Sequence, residues 1–113
     1  MAASLDVLRG TLDLLILKAL SWGPAHGYSV AEWIERVTGD TLQIEEGSLY
    51  PALHRLEVAG LVRSEMTASE NNRRARIYRL TPAGRRQLER ETASWERFTE
   101  SMRRVLRARP GES

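Results

Sequence analysis

The sequence predicts a mainly α-helical domain with one small β-hairpin and a long helix behind it. Three observations predict this class. Apolar residues recur at the three-four spacing of a helix face in three segments before residue 60. Two short extended runs, 61–66 and 76–80, then flank a polar stretch containing Asn71 and Asn72. Finally, Thr81-Pro82 opens a segment whose apolar positions repeat every seven residues as far as Val105.

The first helix spans 5–22. Leu5, Leu8, Leu12, Leu15, Ile16, Ala19 and Leu20 form one stripe, and Leu14 and Leu17 lie outside it, so this helix is buried on more than one side. Gly23-Pro24 ends it. A second helix covers 27–37 with Tyr28, Ala31, Ile34 and Val37 inward, and Thr38-Gly39-Asp40 stops it. The third runs 48–59, with Ser48 as N-cap, Pro51 in the first turn where a missing N–H costs nothing, Leu49, Leu53 and Leu56 facing the core, and Gly60 as terminator. Asparagine tolerates positive φ, which gives the 67–75 connection a way to turn. The last helix has Thr81 as N-cap and Pro82 at its first position and extends to Arg107, roughly 38 Å.

Composition narrows the function. Hydrophobic residues are 42% and charged residues 28% of the 113, the balance of a folded soluble domain. With no cysteine and only His26 and His54, neither a disulfide framework nor a metal centre or other cofactor is expected. Arg9 and the apolar run after it imitate an export signal. Asp13 and Lys18 interrupt that run, however, and it is too short to span a bilayer, so a cytoplasmic, non-membrane protein is expected. Net charge is only +2, but its distribution is uneven. Residues 1–72 carry five basic and ten acidic side chains, and 73–113 carry twelve basic and five acidic. Within 73–86 there are six arginines and no acid. A taste for arginine over lysine, 16 to 1, explains the residue type but not the clustering. A local positive patch of this kind suits a polyanion.

Three helices, a hairpin and a helix opened by Thr-Pro make a winged helix-turn-helix. In that architecture the third helix enters the major groove of double-stranded DNA and the hairpin lies beside it. Opposite Leu49, Leu53 and Leu56, the third helix presents Ser48, Pro51, Arg55 and Val58, with Tyr50 and His54 at the flanks. Arg55 offers a two-pronged donor to guanine, or an ion pair to a nearby glutamate. Ser48 and Tyr50 can bond phosphate, and His54 can do either. Arg73, Arg74 and Arg76 are expected to supply phosphate or minor-groove contacts from the wing, the other reading being a merely solvated loop. On the last helix Leu88, Trp95 and Met102 repeat every seven residues with Phe98 and Val105 between them, a seam that needs a partner. A second copy is the simplest one. The expected organisation is therefore a DNA-binding domain over 1–81, a dimerisation helix over 82–107 and a loose tail over 108–113.

Several segments carry a resemblance to a known family: Leu-Leu-Ile-Leu-Lys-Ala-Leu at 14–20, His-Gly-Tyr at 26–28, Glu-Gly-Ser-Leu-Tyr-Pro-Ala-Leu-His-Arg-Leu-Glu at 46–57, Gly-Leu-Val at 60–62 and Tyr-Arg-Leu-Thr-Pro-Ala-Gly at 78–84. Over essentially its whole length the chain resembles the PadR family of bacterial transcriptional regulators, and 69–75 looks like the wing of a short acidobacterial branch. The resemblance implies a dimeric repressor on an inverted-repeat operator, with contacts from Ser48, Tyr50, Pro51, His54 and Arg55 and from Arg73 and Arg74. Longer relatives that sense phenolic acids carry a multi-helix C-terminal domain. Here one helix stands in its place, so that sensing is not carried over. Some short relatives bind flat aromatic compounds between paired tryptophans, and Trp95 is similarly placed. It is left with two readings, dimer core and wall of an effector site.

Two other classes of function fit these residues less well. A winged helix used only for protein contact needs no basic wing, and this wing is basic. An enzyme would have to use Glu45-Glu46, or Tyr50 with His54, and neither pair comes with a nucleophile, an oxyanion site or a phosphate loop.

Overall fold

The computed structural model describes residues 9–68 and 74–111. Their order is α1 (Arg9–Leu20), β1 (Ala25–His26), α2 (Gly27–Val37), α3 (Glu46–Val58), β2 (Val62–Ala68), β3 (Arg74–Leu80) and α4 (Pro82–Arg107). The expected class holds, a mainly helical fold with a small antiparallel sheet. One strand was not foreseen. The two residues of β1 pair with β3, Ala25 opposite Tyr78, so the hairpin is the larger part of a three-stranded sheet of order β1-β3-β2. Both hairpin strands are longer than expected and pair from Val62–Leu80 out to Ala68–Arg74. Asn71, Asn72 and the remaining 69–73 connection lie outside the described residues, as do Leu5 and Leu8.

α1 lies at the centre. Ile16 and Leu17 are adjacent, hence about 100° apart around the helix, and both are fully buried, which confirms a helix covered on two sides. It packs against α2, α3, α4 and β3. The inward stripe of α2 differs from expectation. Gly27, Val30 and Ile34 are buried, whereas Tyr28 and Val37 are exposed.

Two helix ends place α3. The loop before it turns through left-handed Gly39 and Asp40. Side chains of α2 hold this loop: Thr38 Oγ1 accepts from the Leu42 amide at 3.2 Å, and Glu35 Oε2 accepts from the Ile44 amide at 2.8 Å. These bonds let α3 start at Glu46, two residues before Ser48, with Glu45 as an N-cap that makes no side-chain bond. Ser48 is therefore not the cap. Pro51 correspondingly falls in the second turn and leaves the Gly47 carbonyl without its usual amide donor. At the other end Gly60 is left-handed, with Gly60 N donating to Glu57 O and Leu61 N to Leu56 O, the paired bonds of a Schellman close.

α4 begins as foreseen. Thr81 Oγ1 accepts from the Gly84 amide at 3.0 Å and donates to Gly60 O at 2.7 Å, tying the new helix to the end of α3. Only Gly84 and Leu88 of α4 are buried. The helix then leaves the core, and the radius of gyration of 16.5 Å and long axis of 64 Å reflect it. A compact chain of this length would have a radius of about 13 Å.

Candidate nucleic-acid interface

Burial decides which face of α3 is free. Leu49, Ala52, Leu53 and Leu56 are all buried, and Gly47, Tyr50, Pro51, His54 and Val58 are exposed. The expected reading face is thus rotated. His54 moves to its centre beside Pro51 and Val58, and Ser48 and Arg55 become half-buried flanks. Arg55 has a partner of its own: its Nη2 donates to Asp13 Oδ1 on α1 at 2.9 Å, with the two side chains 36% and 28% exposed. The acid anticipated for it was a glutamate. An aspartate from the first helix takes that place.

Tyr50 leans across the start of α2. A Cβ added at Gly27 would lie 2.8 Å from Tyr50 Cε1, so the absent side chain is what admits the ring. Next to it Tyr28 stacks on His26, centroids 5.4 Å apart and rings 6° from parallel. Desolvation, followed by the Glu46 carboxylate and Tyr28, raises the Tyr50 pKa above its ordinary value. The phenol therefore stays protonated, a donor to an anion such as phosphate. Burial likewise raises the Tyr78 pKa, against the opposing Arg76 guanidinium.

The hairpin carries further cations. Arg76 is exposed, and its Nη1 donates to Ser64 Oγ at 3.0 Å. Ser64 Oγ in turn donates to Glu57 Oε2 of α3 at 2.6 Å. Arg79 pairs with Glu65 across the strands at 2.8 Å. Arg74 opens β3, and Arg73 lies outside the described residues. Among the described residues no three His, Asp or Glu side chains gather as a metal site, and no helix is long and apolar enough to cross a membrane.

On α4, Trp95, Phe98, Met102 and Val105 are exposed along one stripe, with the Trp95 and Phe98 rings 5.7 Å apart. Leu88 is a correction. At 8% exposure it belongs to the protomer's own core, packed where α4 crosses the rest of the domain, and cannot open the seam. Leu106, four residues after Met102, joins the exposed stripe and was missed.

Residues 16–90, well over half of the chain, match the transcriptional regulator PadR-like family. The chain belongs to the PadR-like family. A Mycobacterium tuberculosis transcriptional regulator is 38% identical over 77 residues, 68% of this chain and 68% of its own. The crystal structure of an Eggerthella lenta PadR family transcriptional regulator superposes with a TM-score of 0.80 at 31% identity, covering 93% of this chain and 89% of that one. An uncharacterized 37.1 kDa protein of a Streptomyces fradiae transposon is 48% identical over 87 residues, 77% of this chain, and the match spans only 24% of that longer protein. The family and its named members are transcriptional regulators, not enzymes.

Within this PadR-like fold, three residues that touch the candidate interface side chains escaped sequence reasoning. Gly27 makes room for Tyr50, Asp13 holds Arg55, and Ser64 joins Arg76 to Glu57. Asp13 did leave a signal. It is the one acid within the apolar run 12–17, and a charge among packed leucines calls for a partner.

Proposed function

We propose that this PadR-like chain acts in the cytoplasm as a homodimeric repressor that binds an inverted-repeat operator in double-stranded DNA. The observation that carries this reading is the exposed row Gly47, Tyr50, Pro51, His54 and Val58 on α3 beside an arginine-rich hairpin. In the winged-helix docking mode that row meets base edges in the major groove, and Tyr50 donates to the backbone. Ser48 lines the flank, and Arg73, Arg74 and Arg76 supply counter-charge to phosphate. The free stripe Trp95, Phe98, Met102 and Val105 supports pairing of two α4 helices, which would give the two-fold symmetry an inverted repeat requires.

A gel shift on the protein's own promoter region, with an unrelated duplex of equal length as competitor, tests the reading. Saturable, competitor-resistant binding with a two-fold symmetric footprint is expected. Binding that the unrelated duplex removes equally well would overturn sequence specificity, and a reporter that does not rise when the gene is deleted would overturn repression.

The Trp95–Phe98 ring pair supports one refinement, release by a planar hydrophobic effector held between the Trp95 side chains of the two protomers. Quenching of tryptophan emission by such a compound should vanish in Trp95→Phe while Trp22 and Trp33 remain. Quenching that survives the change would place the compound elsewhere.

A further inference from the structure

The contacts that seat α3 are of two kinds. Leu49, Ala52, Leu53 and Leu56 bury apolar surface, which holds the helix down but is non-directional and tolerates rotation about the helix axis. Two polar contacts are directional. Arg55 Nη2 donates to Asp13 Oδ1 on α1 at 2.9 Å, and Glu57 Oε2 accepts from Ser64 Oγ on β2 at 2.6 Å. Two residues apart on a helix means roughly 160° between the shorter way round, so these tethers leave α3 from opposite flanks. The exposed row lies between them.

We infer that the Asp13–Arg55 and Glu57–Ser64 contacts are paired tethers that set the roll of α3 and so decide which side chains face the bases. The inference deepens the DNA-regulator reading and rests on it. Arg55 is then a positioning residue, not a reader of guanine. Both side chains are partly buried, which restricts the pair more than a fully solvated one. Each tether also ends on an element that reaches another part of the interface. Asp13 sits on α1, which packs against the root of α4, and Ser64 also receives Arg76 of the wing strand at 3.0 Å. A change of roll would therefore register at the dimer helix on one side and at the wing on the other.

The test separates roll from direct contact. Non-specific binding depends on phosphate charge and is indifferent to roll, whereas base preference is not. Wild type, Asp13→Ala, Glu57→Ala and Arg55→Lys are compared on the best sequence that wild type selects from random DNA and on an unrelated duplex at the same salt, each with a thermal melt. Alanine removes the acceptor that an asparagine or glutamine amide oxygen would still supply. Asp13→Ala and Glu57→Ala should each lose about tenfold in the ratio of specific to non-specific affinity through weaker specific binding, with non-specific affinity holding or rising as an acid is removed. Arg55→Lys, which keeps a cation on the flank that faces Asp13, should keep the wild-type motif. An unchanged ratio in Asp13→Ala overturns the inference. So does an Arg55→Lys motif that has lost one symmetric base, because a guanine fork fails with lysine and a tether does not. If Asp13→Ala no longer folds, the exchanged pair Asp13→Arg with Arg55→Asp carries the test: a restored ratio supports the tether and an unrestored one overturns it. A wild type that selects no sequence ends the regulator reading itself, an outcome visible before any variant is measured.

Discussion

Gly84→Ala is the substitution whose outcome the structure constrains most tightly. Gly84 is in the first turns of α4, where alanine is intrinsically the better helix former by about 1 kcal/mol. Packing opposes that gain. A Cβ at this position would lie 2.0 Å from the Leu61 carbonyl oxygen and 2.8 Å from Leu80 Cδ1. The leucine methyl can move, but the carbonyl cannot easily do so. The same oxygen accepts from the Thr81 amide at 3.1 Å, and the adjacent Gly60 carbonyl accepts from Thr81 Oγ1 at 2.7 Å. Relieving the clash shifts backbone and stretches those bonds, for an overpacking cost of about 1–3 kcal/mol plus about 1–3 kcal/mol if the carbonyl loses its donor. After the helix gain is subtracted, the net loss is about 1–5 kcal/mol, which lowers the melting temperature by roughly 4–20 °C for a chain of this size. Thermal unfolding by circular dichroism at matched protein concentration reads it. A variant melting at or above the wild-type temperature would refute the claim that α4 needs a bare backbone at its crossing with Leu61.

Gly27→Ala makes an instructive contrast, because its nearest obstacle is the far end of the Tyr50 ring at 2.8 Å, with a Leu53 methyl next at 3.2 Å. The ring can swing away, so stability should change by less than about 1 kcal/mol while operator affinity falls several-fold; equal loss of both would show that Tyr50 is packing only. Trp95→Glu with Phe98→Glu should convert dimers to monomers in sedimentation, and a wild type that is already monomeric at micromolar concentration defeats the seam. Arg73→Ala with Arg74→Ala removes four cations per dimer and should make the log–log salt dependence of binding shallower by about 3 to 4. Weaker binding with an unchanged slope would move those arginines off the backbone.

Elements with strong local chemistry could be read from the sequence. The Thr81-Pro82 start, the Gly60 stop and the doubly covered α1 each depend on residues within a turn of one another, and each stands where periodicity and capping put it. Features set by distant contacts could not be read this way. β1 is two residues long and exists because Ala25 and His26 reach the free edge of β3. The start of α3 is fixed by Thr38 and Glu35, whose side chains reach four and nine residues forward to amides in the loop, so Ser48 never had to cap. Leu88 fits the seven-residue repeat perfectly well, yet the crossing of α4 over the core claims it first.

The reading face of α3 shows how small the deciding fact can be. With only Leu49, Leu53 and Leu56 taken as inward, His54 and Arg55 lie about equally far from the outward pole at about 100° per residue, and the arginine is chosen for its chemistry. Ala52 breaks that tie. It is as fully buried as Leu53, and counting it turns the inward direction by roughly 15–20°, which brings His54 outward and sends Arg55 toward the domain. Alanine is a weak hydrophobic signal, since its burial removes little apolar area, and a periodicity weighted by leucines passes over it. Asp13 then completes the choice. A guanidinium turned toward the domain edge needs an acceptor, and the only acid in the apolar run of α1 supplies one at 2.9 Å. The same two residues that move the arginine out of the reading face therefore leave an imidazole, a proline ring and an exposed valine at its centre. Base discrimination on such a face must come from shape and single hydrogen bonds rather than from a two-pronged fork.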